Sequence, residues 1–79
     1  MRLPRALSGK ELIAALSTLG YTVTRQSGSH IRLTTDVNGI HHVTIPDHRP
    51  LKVGTLSAIL REVAQHHGMD RDQLAARLF

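Results

Sequence analysis

The sequence predicts an α+β fold in which helices cover one face of a three-stranded antiparallel meander, with a short extra helix at the C-terminal end. Three observations carry this. Apolar residues recur at helical spacing over residues 9–19 and again from residue 55. Between those stretches, from Tyr21 to Ile45, the apolar period is two. Two glycine-bearing segments, Gln26-Ser27-Gly28 and Val37-Asn38-Gly39, divide the middle stretch into three strands.

The first helix opens on a capping box, Ser8-Gly9-Lys10-Glu11, with Ser8 at the N-cap and Glu11 at N3. Leu7 and Leu12 take the flanking positions of a hydrophobic staple. Leu12, Leu16 and Leu19 form the buried stripe, widened by Ile13, and Gly20 supplies the C′ stop. The helix therefore runs from about Gly9 to Leu19.

In the strands, Tyr21, Val23 and Arg25 alternate with Thr22, Thr24 and Gln26. Ile31 and Leu33 alternate with His30, Arg32 and Thr34, and Val43 and Ile45 alternate with His42 and Thr44. Residues facing each other across a ladder share a face, so the apolar sets must pair. A two-residue Asn38-Gly39 turn would set Leu33 against Thr44 and mix the faces. A three-residue loop, Val37-Asn38-Gly39 with Gly39 left-handed, sets Leu33 against Val43 and Ile31 against Ile45. The same reasoning makes Gln26-Ser27-Gly28 the first loop, with Val23 opposite Ile31.

Pro46 ends the third strand, and Asp47 to Val53 reads as a polar, basic connection. Thr55 is the expected N-cap of a second helix with Leu56, Ile59, Leu60 and Val63 on its buried face. His66 and His67 fall in its last turn, where the dipole favours imidazolium, and Gly68 stops it. Asp70-Arg71-Asp72-Gln73 is a second capping box, opening the short helix with Leu74, Leu78 and Phe79.

The 79 residues suffice for one domain, 1–79, with a modest core; a chain this size buries only about 60% of its unfolded surface. Tyr21 and Phe79 are the only aromatic side chains apart from histidine, so the core is aliphatic and a base-stacking RNA platform is disfavoured. Ten Lys and Arg against six Asp and Glu give a formal charge of +4, a balance suited to polyanions. There is no cysteine, hence no disulfide, thiolate metal site or thiol nucleophile. Met1 to Lys10 has no continuous apolar core of the kind a signal peptide needs. No apolar run approaches the roughly 20 residues that span a bilayer, so no membrane partner is expected. The expectation is a soluble cytoplasmic protein.

With the helices on the apolar face, Thr22, Thr24, His30, Arg32, Thr34, His42 and Thr44 are left on the other. In the expected register His30 lies between Thr24 and the Pro46 end of the third strand. Asp47, His48, Arg49 and Lys52 follow directly from that end. An imidazole among cations on an open surface meets the needs of metal-free phosphodiester cleavage. A base takes the ribose 2′-OH proton, an acid protonates the leaving 5′-oxygen, and cations stabilise the phosphorane.

His48, in a basic loop, is the second candidate, as acid–base partner or phosphate ligand. His41 and His42 are neighbours on a strand and point to opposite faces, a poor geometry for one metal, and no metal site or other cofactor is expected. Arg2, Arg5, Lys10, Arg25, Arg32, Arg49, Lys52 and Arg61 could form a phosphate track, joined by backbone N–H groups at Gly54-Thr55-Leu56. A solvated basic surface accounts equally for the same charges.

The order α-β-β-β-α resembles the double-stranded-RNA-binding fold. In detail the chain resembles the HicA (YcfA-like) family of bacterial toxins, messenger-RNA interferases held inactive by a HicB antitoxin. The matching pieces are Gly20-Tyr21, Gly28-Ser29-His30, Ile45-Pro46-Asp47-His48 and Gly54-Thr55-Leu56-Ser57-Ala58-Ile59-Leu60. Asp70 to Leu78 looks like the family's short terminal helix. The likeness covers nearly everything from Ser8 onward. The resemblance implies that His30 is the histidine required for ribonuclease activity, and His48 matches the family's second recurrent histidine. It further implies an mRNA substrate cut without a metal, growth arrest on free expression, and neutralisation by a HicB-like antitoxin that covers the active site. Ser29 and the Gly28 backbone would position the strand, and Lys10, Arg25, Arg32, Arg49, Lys52 and Thr55 would hold RNA. This chain differs in being rich in histidine and in carrying mostly Arg where the family often has Lys. Two other readings of the residues stay open: a non-catalytic RNA-binding module, and a protein-interaction domain docking a partner on the open sheet face.

Overall fold

The computed structural model describes residues 3–79. Arg2, one of the cations in the expected track, lies outside the described residues. The order of elements is α1 (Gly9–Leu16) with a 3₁₀ turn at Ser17–Leu19, β1 (Thr22–Ser27), β2 (His30–Thr35), β3 (His41–Pro46), α2 (Val53–His66) and α3 (Arg71–Leu78). The strands form one antiparallel sheet in the order β1-β2-β3.

Both capping boxes close as expected. Ser8 Oγ accepts from the Glu11 N–H at 3.0 Å, and Glu11 Oε1 accepts from the Ser8 N–H at 2.9 Å. Asp70 and Gln73 repeat the exchange at the start of α3. The helix expected over 9–19 tightens to 3₁₀ in its last three residues, and Gly20 ends it at φ 82°.

The helices lay Leu12, Leu16, Leu56, Leu60, Val63 and Leu74 against Ile31, Leu33, Val43 and Ile45 of the sheet, all buried. Each such side chain contributes on the order of 1.5–3 kcal/mol when fully withdrawn from water. α1 and α2 pack over the β3 side of the sheet. The helix side of β1 is therefore uncovered, and Val23 stays 53% exposed.

The β2–β3 register is the expected one: Leu33 faces Val43 and Ile31 faces Ile45. Asn38 and Gly39 both take left-handed backbone, at φ 60° and 95°, in the connecting loop. The first hairpin differs. Ser27 pairs with His30, so the loop is the two residues Gly28-Ser29, with Gly28 at φ 57°. Val23 faces Leu33 rather than Ile31, and the register shifts between Val23 and Arg25. A two-residue turn alone would carry Thr24 opposite Leu33 and mix the faces. A β-bulge at Thr24 and Arg25 absorbs one residue and restores the apolar match at Val23.

The connection after β3 is less polar than its sequence suggests. Leu51 is buried, and its N–H donates to the Leu7 carbonyl at 2.7 Å. With the chain anchored there, Lys52 takes the extended N-cap conformation and α2 begins at Val53, three residues earlier than a Thr55 cap would allow. No side chain caps this helix, and Thr55 lies at its third position.

Candidate functional site

The bulge decides which charges meet. Because Arg25 pairs with Arg32, it shares the open face with Arg32 rather than the helix side, where strict alternation would put it. Three cross-strand rows therefore line the open face: Ser27-His30-Pro46, then Arg25-Arg32-Thr44, then Thr22-Thr34-His42. The β1 neighbour of His30 is Ser27, not the Thr24 expected from sequence.

Two arginines thus sit directly opposite each other in the row next to His30. Like charges in that position destabilise a sheet. Among the described residues neither Arg25 nor Arg32 has an acidic partner. The pair is a cost to the fold that a bound anion would offset.

The Pro46 end of the sheet is drawn together by backbone contacts. The Asp47 N–H donates to the Ser29 carbonyl at 2.6 Å, one residue from His30 on one side and one from His48 on the other. The Gly9 N–H donates to the His48 carbonyl at 2.9 Å, which fixes the start of α1 against this loop. Gly9 is buried, and a Cβ there would collide with the Pro46 carbonyl oxygen. Only glycine permits the approach. Sequence reasoning passed over Gly9 because a second position in a capping box accepts most residues.

Around this junction stand Lys10, 3.9 Å from Asp47, and Arg49, whose charge reaches the first turn of α1. The Ser8 hydrogen bonds hold the Glu11 carboxyl below the ordinary glutamate range, with Arg49 adding a smaller pull. His30 and His48 are exposed, and neither ring has a hydrogen-bond partner among the described residues. Lys52 and Thr55, with Gly54 between them, begin α2 at the end of the same loop. Arg61 lies elsewhere, beside Asp70, Arg71 and Asp72 at the α2–α3 junction, so it does not continue the track.

A second histidine cluster stands at the other end of the strands. Tyr21, buried to 2% exposure, places its hydroxyl 2.8 Å from His41 Nδ1 and 3.0 Å from His67 Nε2. Asn38 Nδ2 lies 3.2 Å from His67 Nδ1. An amide nitrogen only donates, so His67 accepts at Nδ1 and carries its proton on Nε2. That N–H donates to the Tyr21 hydroxyl, and the hydroxyl donates to His41 Nδ1. The His41 proton is then on Nε2, 3.8 Å from Glu62 Oε2. His66 stacks on His41 with centroids 4.4 Å apart and donates Nε2–H to the Val37 and Gly39 carbonyls, each at 3.0 Å.

Burial first, then the neighbouring imidazoles, pushes the His41 and His67 titrations below the usual 6.5. Burial pushes the Tyr21 hydroxyl up to about 12. The expectation that the α2 dipole would favour imidazolium at His67 is overturned: desolvation and mutual repulsion outweigh it. The cluster could have been sought in the sequence, because a buried tyrosine hydroxyl needs partners.

A family model described as the HicA toxin of bacterial toxin-antitoxin systems matches residues 9–64, from the first residue of α1 into the last turns of α2. The chain belongs to the HicA toxin family, whose members work paired with a cognate antitoxin. The match leaves α3 outside its span. No curated protein and no solved structure matches the chain significantly. No helix among the described residues is long and apolar enough to cross a membrane.

Proposed function

We propose that this toxin is a metal-independent mRNA endoribonuclease working through His30, and that cleavage of messenger RNA arrests translation and growth until a HicB-like antitoxin covers the site. The observation that carries the reading is the row of Arg25 and Arg32, cross-strand like charges without acidic partners, set beside an exposed imidazole with both ring nitrogens unengaged. A phosphodiester supplies the negative charge that the arginines lack, and His30 then faces the ribose next to it.

In the reaction, His30 acts as general base or acid. A base removes the 2′-OH proton, the 2′-oxygen forms a bond to phosphorus, and the 5′-oxygen leaves with a proton from the acid. The products are a 2′,3′-cyclic phosphate and a free 5′-hydroxyl. The Arg25 and Arg32 guanidiniums meet the charge that builds on the phosphorane. His48 complements His30 as acid–base partner or phosphate ligand, held near by the Asp47–Ser29 backbone bond. Ser29 and the Gly28 backbone fix the strand start, while Lys10, Arg49, Lys52 and the first N–H groups of α2 near Thr55 hold flanking phosphates. The whole machinery fits within a single domain spanning residues 1–79, and the cytoplasm, where messenger RNA is found, is its place of action.

The test is inducible expression of the native chain and of His30→Ala in a bacterial host, following growth and the integrity of total messenger RNA. Arrest with RNA loss from the native chain alone supports the reading. Equal effects from both chains remove His30 from the chemistry. A folded native chain without effect points instead to a binding module.

A further inference from the structure

The third row of the open face holds a histidine that this mechanism does not use. His42 is exposed, and its Nδ1 lies 2.8 Å from Thr34 Oγ1. Thr34 Oγ1 lies 2.8 Å from Thr24 Oγ1, which in turn lies 3.4 Å from the Arg32 carbonyl oxygen. The carbonyl can only accept, so Thr24 donates to it, Thr34 donates to Thr24, and His42 Nδ1–H donates to Thr34. The reverse direction would give up the carbonyl contact. With the chain so directed, the neutral ring carries its proton on Nδ1 and presents the Nε2 lone pair to solvent.

His42 lies two rows from His30 on the same face. Four residues of strand separate the rows, about 13 Å at the ordinary rise. That is too far for both imidazoles to serve one phosphate, and it suits contact with a nucleotide a few positions along the strand. Arg25, Arg32 and Thr44 fill the row between, and none of the three rows contains an acidic residue.

We propose that the open sheet face carries single-stranded RNA from His30 to His42, and that His42, its tautomer fixed by Thr34 and Thr24, selects the base at one position near the cleaved bond. The inference rests on the RNA-cleavage reading above. An outward acceptor selects bases that present an exocyclic amino donor. Read on the edge away from Watson–Crick pairing, adenine and cytosine offer one, whereas guanine and uracil present only acceptors there. His42 is then a specificity-determining residue, and Thr34 and Thr24 are positioning residues acting through it.

The experiment maps cleavage ends of a randomised single-stranded RNA pool for the native chain, His30→Ala, His42→Ala and Thr34→Val, and records ¹⁵N spectra of the histidine rings. The native chain is expected to disfavour guanosine and uridine at one fixed position by about fivefold, the worth of one net hydrogen bond. His42→Ala is expected to abolish that bias, and Thr34→Val to weaken it while releasing the His42 ring from its Nδ1–H tautomer. An unchanged bias in His42→Ala overturns the proposal and leaves the nuclease reading standing. So does a native His42 protonated on Nε2 alone, or a native chain without bias against guanosine and uridine. A native chain that does not cut RNA, or a His30→Ala chain that cuts as well, removes the nuclease reading and the proposal with it.

Discussion

At the loop end of the sheet, His41, His66 and His67 close around Tyr21, and nearly every ring nitrogen there has a partner in the chain. At the opposite end His30 and His48 have none. The difference separates two uses of one side chain. In the closed cluster the imidazoles satisfy a buried hydroxyl and two loop carbonyls, and they tie α2 to the β2–β3 loop. In the open region the same side chain has no partner in the chain and stands beside the Arg25–Arg32 pair. Burial makes a partner obligatory for the Tyr21 hydroxyl, whereas His30 and His48 face water, which leaves both rings open to an incoming group.

The comparison breaks most sharply on His30→Ala. Loss of an acid–base group is expected to lower RNA cleavage about 10²–10⁴-fold. Because the ring bonds to nothing in the chain, the thermal midpoint should stay within about a degree of the native value. A large drop in midpoint would move His30 into the structural class and undo the distinction. Gly9→Ala tests how firmly the open end is held. Its Cβ meets backbone rather than a flexible side chain, so overpacking should cost about 1–3 kcal/mol in urea unfolding. Activity should fall as well, since α1 and the His48 loop must separate. Native stability with full activity would show that the junction yields freely.

These expectations could be written from sequence only in part. The two capping boxes involve residues three apart, and the β2–β3 register follows from matched Val, Ile and Leu, so both were legible. The first hairpin was not. Its two-residue turn and its bulge compensate each other, and alternation alone reveals neither, so strict alternation puts Arg25 on the helix side while the bulge turns it to the open face. Thr55 outranks Lys52 as a cap on intrinsic preference, but the burial of Leu51 decided where α2 starts. His30, His48 and their cations rest on motif resemblance and loop position; the fold adds the Asp47–Ser29 backbone bond, which draws the His30 and His48 segments together. The Tyr21 cluster joins residues 20 and 46 positions apart, a distance only the tertiary fold closes.

A smaller effect sharpens the closed side. Tyr21→Phe removes the hydroxyl that joins His41 to His67, leaving a shielded acceptor and donor unpaired, and should cost about 1–3 kcal/mol in urea unfolding. RNA cleavage by the remaining folded protein should be unchanged, since no element of the open end is touched. Loss of cleavage with intact folding would mean that the two ends are coupled.

The smallest expected effect, and the one that best tells the two classes apart, is on pH. His41 and His67 titrate below the 6.5 of an unfolded imidazole, so in acid the unfolded chain binds more protons than the folded one. Their contribution is therefore complete above about pH 6.5 and declines as pH falls below it. A second proton on His41 Nδ1 would also set donor against donor at the Tyr21 hydroxyl and place charge against the stacked His66 ring. Urea midpoints measured from pH 8 to pH 5 should fall on the acid side in the native chain and fall less steeply in His41→Gln. His42→Gln is the natural control. It alters the adjacent residue on the opposite face, whose ring bonds to a threonine hydroxyl and is the smallest of the influences on His41, so the slope should stay close to native. If both variants flatten the curve equally, or neither does, the acid response does not come from the closed cluster, and burial has not divided the histidines of this sheet.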